Sequence, residues 1–248
     1  MKPQPKYDIA TIAPEETLYV VGDIHGRADL LDRMLEIIAT DIAYRQIATP
    51  LLVFVGDYVD RGDRSAEVLA RLQSIASEAG PPAVFLMGNH EKMLLDFFDE
   101  TTAKGPRWLR NGGLQTLASF GVGRITEYSH ASELTKASAA FRDALGEKAE
   151  AWLRNLPHLY QSGNVVCAHA GLDPSADPDD QNVRSLIWGH PDFRCKPRAD
   201  GLWVAHGHYP DDEPGVEGGR IAVDTGAWFT ERLTAAVIER GSVRFLST

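Results

Sequence analysis

The chain of 248 residues is 44% hydrophobic and 24% charged, so it is long enough to bury a full core. Its formal net charge of -10 argues against nucleic acid as a partner, because a sequence-independent grip on the phosphate backbone needs clustered Lys and Arg. No apolar run is long enough to span a bilayer, the amino terminus lacks the apolar core of a signal peptide, and only two cysteines occur, so we expect a soluble cytoplasmic protein without a membrane partner.

The first predicted strand, Leu18–Val21, runs directly into a loop that carries metal-ligand side chains. This loop, residues 22–27, contains Asp23 and His25. From Asp29 onward the apolar residues recur at helical spacing as far as residue 40, with Asp29 as the expected cap of the helix. The stretch is therefore a strand-loop-helix unit whose polar chemistry lies in the loop.

The second unit repeats this order, and its loop carries more charge. Strand Leu51–Val55 is an uninterrupted apolar run with β-branched residues, which is typical of a buried strand. The seven residues that follow include Asp57, Asp60 and Arg61, and a helix is predicted over residues 65–79. Ligands of open α/β sheets bind at the carboxyl ends of the strands, so an Asp placed here can hold a divalent cation and Arg61 can hold a phosphate.

The third unit places Asn89 and His90 directly after strand Ala83–Met87, and a helix follows to about Asp99. Since the carboxyl ends of parallel strands meet at one edge of a sheet, the three loops are expected to lie side by side. Chance seldom gives three consecutive units that carry ligand or acid-base side chains at the same place. We therefore predict that the three loops form one site.

Residues 101–157 have a different character, because helical patterns follow one another there without an intervening strand. We predict that this stretch is a helical insertion that caps the site. Two of its residues have two interpretations each. Trp108 is either a core aromatic residue or a substrate contact, and Asn111 is either a turn residue or a substrate contact, because Asn-Gly-Gly is first of all a turn signal.

After Pro157 the chain becomes rich in β-strands. The predicted strands are 158–161, 165–168, 202–205, 220–224, 233–239 and 243–246, and the last two form a hairpin. These strands predict a second mixed sheet that packs on the first. The fold class is therefore α/β, with two packed mixed β-sheets flanked by helices, in a single domain over residues 1–248.

Two of the later strands end in histidine, at His169 and His208, next to small residues that let a ligand approach the backbone. The full set of candidate metal ligands is Asp23, His25, Asp57, Asn89, His169 and His208. This set is larger than one tetrahedral ion can use, and its oxygen and nitrogen donors suit two divalent ions, with Mn²⁺ favoured and Fe²⁺ or Zn²⁺ as alternatives. One carboxylate must bridge such a pair, and Asp57, in the central loop, is the predicted bridge.

The three loop motifs resemble the signature blocks of the phosphoprotein phosphatase family of calcineurin-like metallophosphoesterases, of the bacterial serine/threonine protein phosphatase type. The motifs are Gly-Asp-Ile-His-Gly at 22–26, Gly-Asp-Tyr-Val-Asp-Arg-Gly at 56–62 and Gly-Asn-His-Glu at 88–91. The resemblance extends to His169 and His208. The ligands that it implies are Asp23, His25 and Asp57 for one metal ion, and Asp57, Asn89, His169 and His208 for the other.

The same resemblance implies that a metal-bridging hydroxide attacks phosphorus directly, without a phosphoenzyme. His90 would protonate the leaving oxygen with Asp60 hydrogen-bonded to its ring, because a neighbouring carboxylate restores the basicity that an imidazole loses near a dication. Arg61 would contact phosphate oxygens, since its planar fork matches them two at a time. Asn89 and Asn111 are further candidate substrate contacts.

The chain departs from the family pattern at two places. Gly189 and His190 follow Trp188 where bacterial members often have an arginine, so a second phosphate clamp must come from Arg194, Arg198 or elsewhere, and Arg194 is the predicted contact. Tyr209 follows the His-Gly-His motif where threonine is common. The second departure concerns the shape of the pocket and not the metal ligands.

The implied activity is hydrolysis of phosphomonoesters, with phosphoserine and phosphothreonine proteins as the first substrates and phosphotyrosine or small phosphoesters as further ones. The alternative enzyme is a symmetrical bis(5'-nucleosyl)-tetraphosphatase, a branch that usually has Ala-Arg-Gly in the second block and Asp at the end of the third. Asp60 and Glu91 favour the protein phosphatase. A third alternative is a catalytically silent metal-binding module that docks phosphoproteins, but a broken ligand or acid would mark it, and none is broken.

Overall fold

Three parallel strands near the amino terminus form the middle and one edge of the first β-sheet. They are β1 (Thr17–Val21), β2 (Pro50–Phe54) and β3 (Ala83–Phe85), paired in register with Leu18 opposite Leu51 and Val53 opposite Val84. The structure is a computed structural model that describes residues 7–77 and 80–248. The parallel order brings the three loops that follow these strands to one edge of the sheet, as the sequence predicts.

The carboxy-terminal hairpin completes this first sheet. Strands β9 (Thr234–Glu239) and β10 (Ser242–Ser247) are antiparallel, and β9 pairs with β1 to give the order β10-β9-β1-β2-β3. The prediction that all strands after Pro157 belong to the second sheet is therefore wrong for this hairpin. The physical reason is that β1 would otherwise present an unpaired edge, and the apolar strand β9 satisfies its backbone hydrogen bonds while being buried itself.

The second sheet is built from the strands between these two parts of the chain. They are β4 (Leu159–Ser162), β5 (Val165–Ala168), β6 (Trp203–His206), β7 (Gly215–Glu217) and β8 (Arg220–Ala222), in the order β4-β5-β6-β8-β7. β5, β6 and β8 are parallel, and β4 and β7 are antiparallel edge strands. The short edge strand β7 has no counterpart among the predicted strands.

Alternate side chains along the strands belong to two different hydrophobic cores. Leu18 and Val20 lie in a buried cluster that contains residues of both sheets, whereas Tyr19 and Val21 lie in the larger cluster that includes the helices. The second sheet shows the same alternation, with Cys167 between the sheets and Ala168 on the helical side. The predicted fold class of two packed mixed sheets flanked by helices is therefore confirmed.

The helices cover the outer faces of the sheets. Their bounds are α1 (Ala28–Arg45), α2 (Ser65–Ser77), α3 (Asn89–Asp99), α4 (Thr101–Trp108), a π-helical turn (Leu109–Gly113), α5 (Leu114–Ser119), α6 (Ala131–Leu145), α7 (Glu147–Arg154), α8 (Val183–Trp188) and α9 (Ala227–Thr230). The last two residues of the predicted helix 65–79 lie outside the described residues. In the described part of the chain, none of the helices combines the length and the apolarity that a bilayer crossing requires.

The first helix begins one residue before the predicted cap. Asp29 lies in the first turn of α1, and its carboxylate accepts hydrogen bonds from the guanidinium of Arg27. The prediction of Asp29 as the cap is therefore wrong. An acidic residue in a first turn is still favourable, because it faces the positive end of the helix dipole.

A half-buried carboxylate fastens α1 to the last strand. Asp41 accepts hydrogen bonds from the Tyr19 hydroxyl at 2.6 Å and from Arg244 Nη1 at 2.8 Å. Burial alone would raise the pKa of Asp41, but the bonds from Arg244 and Tyr19 outweigh it and hold the pKa below its ordinary value. Stability from this contact is therefore present above the unfolded-state pKa of about 4 and is lost as the pH falls through the lower folded-state pKa.

We expect Asp41→Asn to lower the free energy of unfolding by about 1 kcal/mol at pH 7 and by less at pH 3. Urea unfolding at pH 7, 5 and 3 measures the difference. The matched control is Asp32→Asn, because Asp32 is an exposed carboxylate on the same helix, paired with Arg71 at 3.4 Å. A loss for Asp41→Asn that does not shrink on acidification would contradict the assignment.

Candidate dinuclear metal centre

The loops after β1, β2 and β3 approach one another closely because glycines stand where they meet. A Cβ atom on Gly88 would lie 2.2 Å from Oδ1 of Asp57, which is closer than any real contact. Gly56 has a φ of +109° and faces the backbone of Gly88. The glycines that precede the ligand residues thus let the second and third loops touch.

Several side chains of the site project from backbone in the left-handed region. Of the eight non-glycine residues with positive φ in the described chain, five belong to the site. These are His25, Asp57, Asp60, Arg61 and His208. Such conformations cost on the order of 1–3 kcal/mol each and persist only where surrounding contacts enforce them, which is typical of functional sites.

The buried carboxylate of Glu91 supplies part of that enforcement. Its oxygens accept hydrogen bonds from the backbone N–H groups of Asp57 at 2.8 Å, Tyr58 at 2.8 Å and Gly88 at 3.1 Å. Burial and the charge of Asp57 raise the pKa of Glu91 above its ordinary value. Glu91 therefore ties the backbone around Asp57 to the start of α3, a role that its place in the third motif does not reveal.

Asp57 lies at the centre of the site, and its two oxygens face opposite sides. Oδ2 is 3.4 Å from His25 Nε2 and 3.8 Å from His90 Nε2, whereas Oδ1 is 3.4 Å from His169 Nε2. Burial would raise the pKa of Asp57, but the imidazoles of His169, His90 and His25 outweigh it and lower that pKa. Asp57 is therefore an anion with nitrogen donors on both sides.

The second side of the site gathers one amide and two imidazoles. Asn89 Oδ1 lies 2.9 Å from His169 Nε2 and 2.9 Å from His208 Nδ1, and these two ring nitrogens are 3.1 Å apart. Three potential ligand atoms thus converge on one point. Burial lowers the pKa of both His169 and His208, which favours the neutral rings that can offer lone pairs to a metal ion.

Backbone carbonyls orient two of these rings. His25 Nδ1 lies 2.9 Å from the carbonyl oxygen of Val59, and His169 Nδ1 lies 3.1 Å from that of Val55. A ring that donates Nδ1–H to a carbonyl keeps Nε2 as its lone-pair nitrogen. In both residues Nε2 is the atom that faces Asp57, so the tautomers suit metal binding.

The donor set fits divalent cations. Two groups of side chains have ligand atoms within 4.8 Å of one another, and both contain Asp57. The groups are His25, Asp57 and His90, and Asp57, His169 and His208. Three buried carboxylates, of Asp23, Asp57 and Asp224, also lie near one another. Burial and the charges of Asp224 and Asp57 therefore raise the pKa of Asp23. Bound dications would relieve that repulsion.

Asp23, a predicted ligand, belongs to neither of these two groups among the described residues. Its carboxylate instead accepts a hydrogen bond from the backbone N–H of His208, with Oδ2 at 3.1 Å, and a Cβ on Gly207 would lie 2.0 Å from its Oδ1. Asp23 therefore connects the first loop, to which it belongs, with the His-Gly-His segment after β6. Its role as a metal ligand stays a prediction.

His90 and Asp60 form a buried pair beside Asp57. His90 Nδ1 lies 2.7 Å from Asp60 Oδ2, and both side chains are at most 1% exposed. Burial would lower the pKa of His90, but the carboxylates of Asp57 and Asp60 raise it above its ordinary value. The ring therefore donates Nδ1–H to Asp60 and turns Nε2 toward the open side of the site, where Arg61 Nη2 lies 3.2 Å away.

Two residues from the helical stretch hold Asp60, and the sequence identified neither role. Trp108 Nε1 donates to Asp60 Oδ2 at 2.9 Å, and the Thr116 hydroxyl donates to Asp60 Oδ1 at 2.7 Å. Trp108 is fully buried, which supports the core interpretation over a substrate contact. Thr116 is 56 positions from Asp60, and a threonine inside a helical pattern carries no local signal of such a contact.

The predicted substrate contacts lie at different distances from the candidate metal ligands. Arg61 Nη2 lies 3.2 Å from Nε2 of His90. Asn111 Nδ2 donates to the carbonyl of Arg107 at 2.8 Å, so part of its side chain ends a turn. Arg194 is exposed at the rim, where its guanidinium lies 5.3 Å from the ring of Tyr209 and 3.4 Å from Asp211. Asn111 and Arg194 remain predictions.

Arg198, the other candidate for a second phosphate clamp, is committed elsewhere. Its buried guanidinium forms an ion pair with Asp200 and donates to the carbonyls of Asp173 and Ala176, both at 2.8 Å. These bonds occupy the guanidinium N–H groups that a phosphate would need. Tyr209 packs edge-on against His208, with ring centroids 4.8 Å apart, so the second departure from the family pattern lies next to a predicted ligand.

Similarity to known proteins agrees with this geometry. Residues 17–243 match the calcineurin-like phosphoesterase family. The asymmetrical bis(5'-nucleosyl)-tetraphosphatase of Oceanobacillus iheyensis is 29% identical over 234 residues, which covers 87% of this chain and 86% of that protein. Serine/threonine-protein phosphatase 2 of Salmonella typhimurium is 28% identical over 231 residues, which covers 88% and 90%.

Solved structures support the fold. The cold-active protein-tyrosine phosphatase of a psychrophilic Shewanella species has a TM-score of 0.55 at 17% identity, over 96% of this chain and 84% of that one. At this identity the likeness concerns the fold alone. The family match extends over most of the sequence and includes every loop of the site, and the chain therefore belongs to the calcineurin-like phosphoesterase family and hydrolyses phosphoester bonds.

Proposed function

We propose that the protein is a phosphomonoester hydrolase that uses two divalent metal ions. Asp23, His25 and Asp57 would hold one ion, and Asp57, Asn89, His169 and His208 would hold the other. When bound, the two ions supply Lewis acidity to the phosphate oxygens and lower the pKa of water. The observation that carries this proposal is Asp57, whose two carboxylate oxygens face imidazole nitrogens on opposite sides.

The chain's own side chains would then manage the leaving group and the charge on phosphate. His90 presents Nε2 to the open side and is backed by Asp60 at 2.7 Å, so it can deliver a proton to the leaving oxygen and keep the resulting imidazole oriented. Arg61 lies beside that nitrogen and can hold phosphate oxygens through its planar fork. No group of this chain needs to form a covalent bond to phosphorus.

We also propose that the helices between Thr101 and Arg154 act as a cap over the site. Two contacts support this role. Trp108 donates to Asp60, and the carbonyl of Gly112 accepts a hydrogen bond from Arg61 N at 3.4 Å. A Cβ on Gly112 would lie 2.5 Å from that nitrogen, so the Asn-Gly-Gly turn is pressed against the Arg61 backbone. Changes in the cap would therefore reach Asp60 and Arg61 first.

Two substrate classes follow from the motifs and the relatives. Asp60 and Glu91 favour phosphoserine or phosphothreonine in proteins, and a relative named as a serine/threonine-protein phosphatase covers most of the chain. The second candidate class is a dinucleoside polyphosphate. One observation favours it, namely the indole ring of Trp228, which lies 5.4 Å from the Arg61 guanidinium.

The purified protein, supplied with Mn²⁺, tests these proposals. We expect hydrolysis of at least one of three substrates measured side by side: a phosphoserine peptide, a phosphotyrosine peptide and diadenosine tetraphosphate. Chelation should abolish the activity, and readdition of Mn²⁺ should restore it. Binding of the phosphopeptides without turnover of any substrate, with the metals bound, would instead support the silent docking module.

Arg61→Ala should raise KM and lower kcat together. The guanidinium contacts phosphate oxygens in the ground state and stabilises their charge in the transition state, so we expect a loss on the order of 10²–10³-fold in kcat/KM. Arg64→Ala is the matched control, because Arg64 is an exposed arginine of the same loop that pairs with Glu67. A change in KM alone for Arg61→Ala would limit the residue to ground-state binding.

A further inference from the structure

Two aromatic rings stand exposed beside the candidate site. Trp228 and Phe229, in the short helix α9, are 41% and 56% exposed, and their ring centroids are 5.1 Å apart. Large apolar rings are usually buried, so an adjacent exposed pair points to a surface that binds something. The indole lies next to Arg61, which itself contacts His90.

The indole forms one wall of a cavity of about 520 Å³. The polar residues that line it are Arg61, Arg110, Asn111, Gln115 and Glu127. Its chemistry is mixed: one flat aromatic face, two guanidinium groups, the carboxylate of Glu127, and two amides with both donors and acceptors. Small-molecule sites of this size typically combine an aromatic wall with a few placed polar groups.

We propose that this cavity binds the nucleobase of a nucleoside polyphosphate whose scissile phosphate lies at Arg61 and His90. The base would stack on Trp228, and the amides of Asn111 and Gln115 would face its polar edge. Arg110 would meet phosphates beyond the one that Arg61 holds. This inference rests on the proposed hydrolysis at the same site. An oxygen of water would bond to the scissile phosphorus, the P–O bond of a phosphoanhydride would break, and the nucleotide would leave with its new terminal phosphate oxygen protonated by His90.

The contents of the cavity favour a nucleobase over the aromatic ring of phosphotyrosine. A phenyl ring has no hydrogen-bonding edge for the two amides. A phosphoserine has no ring that could stack on the indole. A purine or pyrimidine attached to phosphates uses the indole, the amides and both arginines together, because every base has a π-face and a hydrogen-bonding edge.

The kinetic test compares Trp228→Ala with the parent protein. We expect KM for diadenosine tetraphosphate to rise about 10- to 100-fold, the range that loss of one stacked base gives, with Trp228→Phe close to the parent. KM for a phosphoserine peptide should change by less than about twofold. Tyr44→Ala is the matched control, because Tyr44 is an aromatic residue on α1 that is 87% exposed.

Three kinetic outcomes would overturn the proposal. An equal rise in KM for the dinucleotide and the phosphoserine peptide would mean that Trp228 acts only by holding Arg61. A rise confined to a phosphotyrosine peptide would assign the indole to that ring instead. An unchanged KM for diadenosine tetraphosphate would likewise remove the nucleobase from this cavity.

A binding measurement separates this inference from the proposed function. Titration calorimetry of diadenosine tetraphosphate into chelator-treated protein reports binding without turnover. We expect Trp228→Ala to weaken that binding about as much as it raises KM. If the loaded protein hydrolyses no substrate and Trp228→Ala still weakens binding, then the proposed function fails and the nucleobase site stands. If the parent protein does not bind the dinucleotide, then the nucleobase site is wrong whatever the activity.

Discussion

Replacement of Asp57 by Asn is expected to lower kcat on the order of 10³-fold or more and to release at least one equivalent of metal ion per chain. The carboxylate is the side chain common to both groups of potential ligands, and its oxygens face His25 on one side and His169 on the other. An amide keeps the shape but removes the negative charge that would balance two dications. Elemental analysis of the purified variant, together with steady-state kinetics, measures both effects.

Asp63, in the same loop, provides the control. Asp63→Asn removes an exposed carboxylate six positions further along the chain, and it should leave metal content and kcat within about twofold of the parent protein, as surface substitutions usually do. Asn at position 57 keeps the backbone N–H that Glu91 binds, so the loop should remain folded. Two tightly held ions per chain and persisting turnover in Asp57→Asn would show that Asp57 is not the bridge.

His90→Asn is expected to reduce kcat for a phosphoserine peptide by about 10²- to 10⁴-fold, and for an activated aryl phosphate by less than about tenfold. The serine alkoxide leaves poorly without a proton, whereas an activated phenolate needs little protonation. The His90 ring presents Nε2, the nitrogen that would carry the proton, on the open side and holds Nδ1 2.7 Å from the buried Asp60 carboxylate. The ratio of the two losses is the measurement that identifies a general acid.

His130→Asn serves as the control, because His130 lies at the exposed start of α6, away from these loops. It should leave both substrates unaffected. Equal losses on the peptide and on the aryl phosphate would exclude His90 from protonating the leaving group and would point to damage to the metal centre. Metal analysis of His90→Asn distinguishes these two cases, since loss of the acid alone should leave both ions bound.

Substrate choice depends on the surface around the motifs as well as on the motifs themselves. Asp60 and Glu91 favour a protein phosphatase, yet Glu91 is fully buried and its carboxylate accepts hydrogen bonds from four backbone N–H groups. Its identity therefore reports how the loops are held more than what they hydrolyse. Trp228 and the cavity beside Arg61 lie where a leaving group would extend, so they are better placed to select the substrate.

Local patterns in the sequence determined the strands, the loops and most of the candidate site. An apolar run that ends in glycine and a carboxylate predicts a buried strand followed by a polar loop, and three such units predict parallel strands with loops at one edge. The structure brings Asp57, Asn89, His90, His169 and His208 together at that edge. Residue type and order were sufficient because each candidate ligand follows shortly after its strand.

Only the tertiary structure decided which strands share a sheet and which side chains support the loops. The hairpin of β9 and β10 pairs with β1, more than 200 positions away, because that edge needed a partner. Trp108 and Thr116 reach Asp60 from the helical stretch, and Arg198 turns away to Asp200. Periodicity records whether a residue is buried, but it does not record which distant group will satisfy its hydrogen bonds.

Trp228 shows the same limit at the surface. Most large aromatic side chains are buried, and the local sequence does not show whether Trp228 is. Folding leaves it 41% exposed beside Arg61, 167 positions earlier in the chain. The sequence thus determined the candidate metal ligands, because they follow strand ends, whereas long-range packing decided which side chains line the cavity beside Arg61.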